Sequence, residues 1–447
     1  MDDQFLPHNF HWQSIKQFID FDPQLRKLSK QIYVHTPSIL QKLPIDISGI
    51  YTLGGGRQIG KTTLLKQWMR LLLEKNINPE SIFFLTGEII YDHLSLIQII
   101  KQYIEHLNIS SNKIIYIIVD EITYIKNWDQ GVKYLADTGI LENVQLVLTG
   151  SDLTFIQEAR MRFPGRRGNS DVVDFHLYPL SFFEFVHLKL QTNEEPSIDI
   201  LFQEFDNYLY HGGFLTAIND QAKNENISSS TYQTYSDWIR GDVIKHGKSE
   251  AYLREFLMAS INTYGTQVTW NSLADHTSID HPNTIQEYAN FLASMDVLFV
   301  QNALIENKLL AAPKKAKKLI FKDPFIFHAI QRWINPFRKP DSSMIPALVE
   351  SCVISHYQRF YPTFYIKAEG EVDLAYVDEN TFHPIEVKWT KQLRSKDLKQ
   401  IKKYKNGLIL SQQKLPGLIE TTPTVPLPQH LYQLGFTKKT PQCVCFK

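Results

Sequence analysis

The stretch Gly55-Gly56-Arg57-Gln58-Ile59-Gly60-Lys61-Thr62 constrains the fold of this 447-residue chain more than any other. It fits G-x-x-x-x-G-K-[ST], with an apolar run at Ile50–Leu53 before it. Helical periodicity follows over Lys61–Lys75, where Leu64, Leu65, Trp68, Met69 and Leu72 repeat on one face. Glycines let the backbone wrap closely around a phosphate chain, and the amides of the loop and helix N terminus point at the anion. Lys61 is expected to reach the β and γ phosphates of ATP, and the Thr62 hydroxyl to ligate Mg²⁺. The loop residues from Gly55 onward, with Thr63, complete the expected nucleotide-binding set.

An ATP site also needs an apolar strand that ends in acid at the carboxyl edge of the sheet. Ile-Ile-Tyr-Ile-Ile-Val-Asp120-Glu121 supplies it. Asp120 is expected in the Mg²⁺ shell and Glu121 beside the attacking water. The further strand Leu146-Val-Leu-Thr149-Gly-Ser151-Asp152 ends in hydroxyls, so Thr149 or Ser151 would meet the γ-phosphate or the water, unless Ser151 or Asp152 is instead the N-cap of a helix. Fully apolar strands separated by helices imply a parallel sheet covered on both faces. Arg160, Arg162, Arg166 and Arg167 follow. One of them would serve a neighbouring subunit's γ-phosphate in a homo-oligomer, unless all sit in a solvated loop or in local ion pairs.

The rest of the chain is read as four further segments: an arm of short helices at 1–47, a helical segment at 181–250, a winged-helix-like order at 251–322 and an α/β end at 323–447, with the parallel-sheet domain at 48–180. Strands are expected at Val268–Trp270 and Leu319–Phe321, a helix at Thr284–Met295, and a basic helix at Ser395–Tyr404. Thr284–Met295 holds Glu287 and no Lys or Arg, which suits packing better than reading bases. The fold class is α/β: a P-loop parallel-sheet ATPase domain, a helical and winged-helix middle, and a small α/β restriction-endonuclease-like C-terminal domain.

A second constellation lies in that end. Glu371–Val377, the turn at Asp378-Glu379-Asn380 and Phe382–Lys388 read as an antiparallel hairpin. A turn centred between Glu379 and Asn380 sets Asp373 opposite Glu386, and residues two apart share a face, so Lys388 joins them. Two carboxylates and a lysine suit metal-dependent phosphodiester hydrolysis, with Asp373 and Glu386 holding Mg²⁺ and Lys388 orienting or deprotonating water. The trio resembles the PD-(D/E)xK nuclease signature. Glu350 on the preceding helix and Gln400-x-x-x-Tyr404 resemble its flanking features. A salt-bridged surface hairpin is the alternative.

Lysine plus arginine equals aspartate plus glutamate at 47 each, yet residues 1–304 carry 24 basic and 35 acidic side chains, leaving 23 and 12 for residues 305–447. Lys388, Lys391, Arg394, Lys396, Lys399, Lys402, Lys403 and Lys405 face one acid, Asp397, and Lys314, Lys315, Lys317 and Lys318 form a second cluster. Such a face suits the phosphates of DNA, although a solvated helix has the same composition. Cys352, Cys443 and Cys445 cannot build a disulfide framework, which points to a reducing compartment. The N terminus has no basic-then-apolar leader, and no run approaches the roughly 18 apolar residues needed to cross a bilayer. A cytoplasmic protein with no membrane partner is expected.

Taken in order, FDPQLR, GGRQIGKTTLLKQW, IIVDEI, LVLTGSD, LYPLSFFEF, YLYHGGF and GEVDLAYV…PIEVK resemble bacterial and archaeal AAA-type ATPases that carry a C-terminal domain of unknown function with a nuclease-like end. The resemblance implies ATP binding at Gly60, Lys61 and Thr62, hydrolysis involving Asp120 and Glu121, and a nuclease-like site at Asp373, Glu386 and Lys388. Gly56 departs from it, since that family usually has proline there. Two functions remain open: an ATPase coupled to a DNA-cleaving domain, or a nucleotide-controlled binding module whose nuclease-like part is only a docking surface.

Overall fold

The computed structural model describes residues 3–107, 113–151, 155, 159, 161–168, 170–191, 194–336, 342–394 and 398–438. The chain forms two compact units, divided between Tyr178 and Pro179. Among the described residues no helix is long and apolar enough to cross a membrane.

The first unit is built on five strands, β1 (Gly49–Gly54), β2 (Ile82–Thr86), β3 (Ile115–Asp120), β4 (Val144–Thr149) and β5 (Asp174–His176). They pair in the order β2-β3-β4-β1-β5, all parallel. Side chains alternate between two buried faces. Ile117, Val119, Leu146 and Leu148 join one core with Leu96, Ile100, Val132 and Leu135, which come from helices His93–His106 and Trp128–Asp137. Tyr51, Leu53, Ile118 and Val147 join the other with Leu64, Leu65, Trp68 and Met69 of helix α1 (Lys61–Glu74). The uninterrupted apolar strands of the sequence follow from this two-sided burial.

The N-terminal stretch covers the free edge of β2. The Asn9 side chain donates to Phe84 O at 2.9 Å and accepts from Phe84 N at 2.8 Å, and Trp12 Nε1 donates to Ile82 O at 2.9 Å. These contacts satisfy edge groups that would otherwise be open to another strand. Pro23–Ser29 then packs on α1. Asp22 caps that short helix at Gln24 N (3.0 Å) and Leu25 N (3.2 Å) and meets the buried Lys66 ammonium at 3.2 Å.

The second unit begins with helices Phe182–Leu190, Ile198–His211, Leu215–Asn224 and Ser229–Lys245, then Glu250–Asn262, Trp270–Ala274 and α2 (Pro282–Ser294). Strands β6 (Leu298–Asn302) and β7 (Lys317–Phe321) pair antiparallel. Only Val268 of the expected Val268–Trp270 strand pairs, with Lys317, because Thr269 and Ser272 form a capping box that starts a helix at Trp270. After helices Pro324–Ile334 and α3 (Ile345–Gln358), six strands form a mixed sheet. It contains β8 (Thr363–Lys367), β9 (Glu371–Asp378), β10 (Thr381–Lys388) and β11 (Leu408–Ser411). Helix Leu427–Lys438 follows the last strand.

The basic helix expected at Ser395–Tyr404 is not continuous. Ser395–Asp397 lie outside the described residues, and a short 3₁₀ helix covers Ile401–Lys403. Leu398 and Ile401 both enter the core beside Ile366, Val372 and Ile409, and a three-residue period aligns such a pair better than an α-helical one.

The segments LYPLSFFEF and YLYHGGF meet in this unit at a structural joint. Asp323 is buried and accepts from Gly213 N and Phe325 N, each at 2.8 Å. A Cβ on Gly212 would lie 1.7 Å from Asp323 Oδ1, and one on Gly213 would lie 2.1 Å from Leu180 O, so YLYHGGF needs both glycines. Tyr208 Oη donates to the same Leu180 carbonyl at 2.6 Å. Cys352 is buried, and burial pushes its thiol above the usual range, so it is no ready nucleophile. Cys443 and Cys445 lie outside the described residues.

Candidate functional site

The loop between β1 and α1 closes on its own lysine. Gly60 takes φ +103° immediately before the helix, a conformation that favours glycine. Lys61 is 5% exposed, and its Nζ donates to Gly55 O (2.9 Å), Gly56 O (3.1 Å) and Ser151 Oγ (3.3 Å). Glu121 Oε1 stands 3.7 Å from the same nitrogen.

Because β4 lies between β1 and β3, its hydroxyl-bearing end falls between the loop and the acidic pair. Thr62 Oγ1 donates to Asp120 Oδ2 at 2.6 Å, Thr149 Oγ1 donates to Asp120 Oδ1 at 2.5 Å, and Thr149 Oγ1 accepts from Glu121 N at 2.8 Å. Ser151 Oγ donates to Glu121 Oε1 at 2.5 Å. Burial raises the Asp120 carboxyl above its ordinary value, and the hydrogen bonds from Thr149 and Thr62 oppose the rise. Glu121 adopts φ +52°, a strained setting for a glutamate that aims its side chain back toward the loop. Its Oε2 is buried without a hydrogen-bond partner among the described residues.

The side chains of the other expected loop residues have the following settings. Arg57 Nη2 donates to Tyr124 Oη at 2.5 Å, Gln58 occupies the left-handed region at φ +59°, Ile59 packs against the α1 core, and Thr63 Oγ1 donates to Gln24 Oε1 at 3.3 Å. Gln24 and Tyr124 escaped the sequence reading because no motif marks a side chain that braces a loop from a distance. Of the arginines, Arg162 pairs with Asp129 and Arg166 with Asp137, while Arg167 meets Asp174 at 2.5 Å and Thr52 Oγ1 at 3.1 Å. Arg160 and Asp152 lie outside the described residues.

In the second unit the hairpin has the expected register. Asp378 pairs with Thr381 and Leu374 with Ile385, so Asp373 and Glu386 adjoin at the next step. Val387 N donates to Asp373 Oδ2 at 2.9 Å, and Lys388 Nζ reaches Glu386 Oε1 at 2.5 Å. Glu350, on α3, joins the group. So does Lys318 from β7, which the composition had assigned to an outer, DNA-facing cluster. It is 1% exposed and meets Glu350 at 2.7 Å, Glu371, and Asp373 at 3.6 Å. Lys318 lies in a strand that is buried on both faces, since Leu319, Ile320 and Phe321 are buried too, and only Lys317 at its start is partly exposed.

Burial raises the Glu350 and Glu386 carboxyls, and the nearby Asp373 adds to the rise in both; Lys318 and Lys388 pull in the opposite sense. For Lys388 burial acts downward, but Asp373 and Glu386 prevail and raise it, which keeps the ammonium charged and unsuited to accept a proton. Among the described residues, no three or more His, Cys, Asp or Glu side chains are arranged to hold a metal ion. Glu386 Oε2 is buried with no hydrogen-bond partner among them. Gln400 braces the adjoining turn, donating to Tyr404 Oη at 3.0 Å and accepting from Gly370 N at 3.3 Å.

The outer charge is partly neutralised. Lys402 pairs with Glu420 at 2.5 Å and Lys403 with Glu369, whereas Lys391, Arg394, Lys399 and Lys405 are exposed. Lys396 and Asp397 lie outside the described residues.

Residues 48–186 match the family model "AAA domain", and residues 202–336 match a domain of unknown function, DUF8612. An uncharacterized protein of Haemophilus influenzae is 30% identical over 192 residues, which is 42% of this chain and 45% of that protein. An uncharacterized protein of Methanocaldococcus jannaschii is 31% identical over 164 residues, 36% of this chain and 31% of that one. The matches thus span less than half the length of either relative. A Walker-type ATPase of Pyrococcus abyssi shares 14% identity at a TM-score of 0.39, over 63% of this chain and 91% of that one. The loop, the acidic strand end and the family match over 48–186 agree: the chain carries an AAA-type P-loop ATPase domain.

Proposed function

We propose that the first unit binds and hydrolyses ATP and that its nucleotide state controls a nucleic-acid-facing second unit. The observation that carries this is the 2.6 Å hydrogen bond from Thr62 to Asp120, which ties the phosphate loop to the acidic strand, with Lys61 beside both. Thr62 and Asp120 present hard oxygen donors of the kind Mg²⁺ takes, so the residues fit the ion. Held by Thr62 and Asp120, the ion would supply positive charge to offset the negative charge that develops on the phosphates. Lys61 would exchange the Gly55 and Gly56 carbonyls for β and γ phosphate oxygens, Asp120 would hold the metal shell, and Glu121, steered by Ser151, would polarise the attacking water. Lys61→Ala should abolish ATP binding; unchanged binding would refute the assignment.

In the second unit we read residues 251–322 as winged-helix-like and 323–447 as PD-(D/E)xK-like, with DNA as the partner. The burial of Lys318 among Glu350, Glu371 and Asp373 supports a docking role over phosphodiester cleavage, because an internal ammonium would compete with a metal for Asp373. Incubation of the full chain with Mg²⁺ or Mn²⁺ and duplex DNA should then give no cleavage. Cleavage that Lys388→Ala abolishes would reverse the choice.

A further inference from the structure

A groove of about 610 Å³ opens in the second unit between α2 and the loop that leads into β7. One wall carries Asn283, Gln286 and Asn290, which at spacings of three and four residues share one face of α2. Ile285, Tyr288, Ala289 and Leu292 bury the opposite face. The other wall carries Lys314, Lys315 and Lys317. Among the described residues no carboxylate pairs with these three lysines; Lys315 Nζ donates to Lys367 O at 3.2 Å, and Lys317 Nζ to Pro313 O and Lys315 O, each at 3.0 Å. None of the residues lining the groove is acidic. Glu287, the one acid of α2, pairs with Lys248 at 3.5 Å and does not line it.

We propose that this groove binds duplex DNA, with the α2 amides toward base edges in the major groove and Lys314, Lys315 and Lys317 on phosphates. Asn and Gln side chains pair bidentately with adenine in the major groove, so a helix needs no Lys or Arg of its own to read bases when a neighbouring loop supplies the cations. The RNA major groove is too narrow to admit a helix. Single strands call for free aromatic stacking platforms, whereas the one aromatic ring of the groove, Trp270, has Lys317 Nζ 5.3 Å above it.

The proposal rests on the nucleic-acid reading of the second unit, and the experiment separates the two. Anisotropy of a labelled DNA duplex of about 20 base pairs would be followed with the full chain across roughly 50 to 200 mM salt. Lys314→Glu/Lys315→Glu should weaken binding at least tenfold and flatten the log–log salt slope by about 2. Gln286→Ala/Asn290→Ala should narrow the difference between A·T-rich and G·C-rich duplexes by about tenfold. Lys399→Glu/Lys405→Glu tests the C-terminal face instead. Duplex affinity within twofold of wild type for both groove variants, with loss only for the C-terminal variant, would overturn the groove and leave the DNA reading standing. Equal affinity for duplex RNA or single-stranded DNA would also overturn it. Wild type that binds no duplex would overturn both.

Discussion

Thr62 Oγ1 and Asp120 Oδ2 are 2.6 Å apart although 58 residues separate them in sequence, and this contact couples the phosphate loop to the acidic strand. Thr62→Val removes a hydrogen bond to a buried carboxylate, which costs about 1.5 to 3 kcal/mol. Chemical denaturation should register that loss. Titration of ATP with and without Mg²⁺ should show the Mg²⁺-dependent gain in affinity falling by about tenfold, since a hard-oxygen ligand is gone.

Lys318 is the counter-ion of a buried carboxylate group, so Lys318→Met should destabilise the protein by about 3 to 5 kcal/mol, the cost of breaking a buried pair. Adding Glu350→Gln should recover part of the loss. A Lys318→Met protein that melts at the wild-type temperature would show that the ammonium is not the charge that balances this cluster.

Asp323 supplies a pH dependence. Burial raises its carboxyl from 3.8 to about 6, against the hydrogen bonds from Gly213 N and Phe325 N. The folded state therefore holds the proton more tightly than the unfolded chain does. Stability from this group is fully present below about 4, is lost as pH rises toward 6, and stays flat above, a change of about 3 kcal/mol. Urea midpoints of wild type and Asp323→Asn between pH 4 and 6.5 should diverge in slope, the variant lacking this decline.

Much of this was legible from local pattern. The loop, its helix and the Asp120-Glu121 strand end follow from short-range spacing, and the register that joins Asp373 to Glu386 follows from a tight turn, because one slipped residue would turn every side chain to the other face. Lys318 was misread because charge counts cannot tell an inward strand position from an outward one. Asn9 at the edge of β2 carries no signal at all, since its partner lies 75 residues away. The groove beside α2 was not legible, because Lys314, Lys315 and Lys317 come from a separate stretch of chain and composition along one helix cannot register them.

ATP turnover by the Glu121→Gln chain tests the central claim most directly, because Glu121 alone is assigned the attacking water. With Mg²⁺ present, the variant should bind ATP as wild type does and hydrolyse it at least about 100-fold more slowly, the usual contribution of a general base. Hydrolysis by Glu121→Gln at the wild-type rate would contradict the assignment.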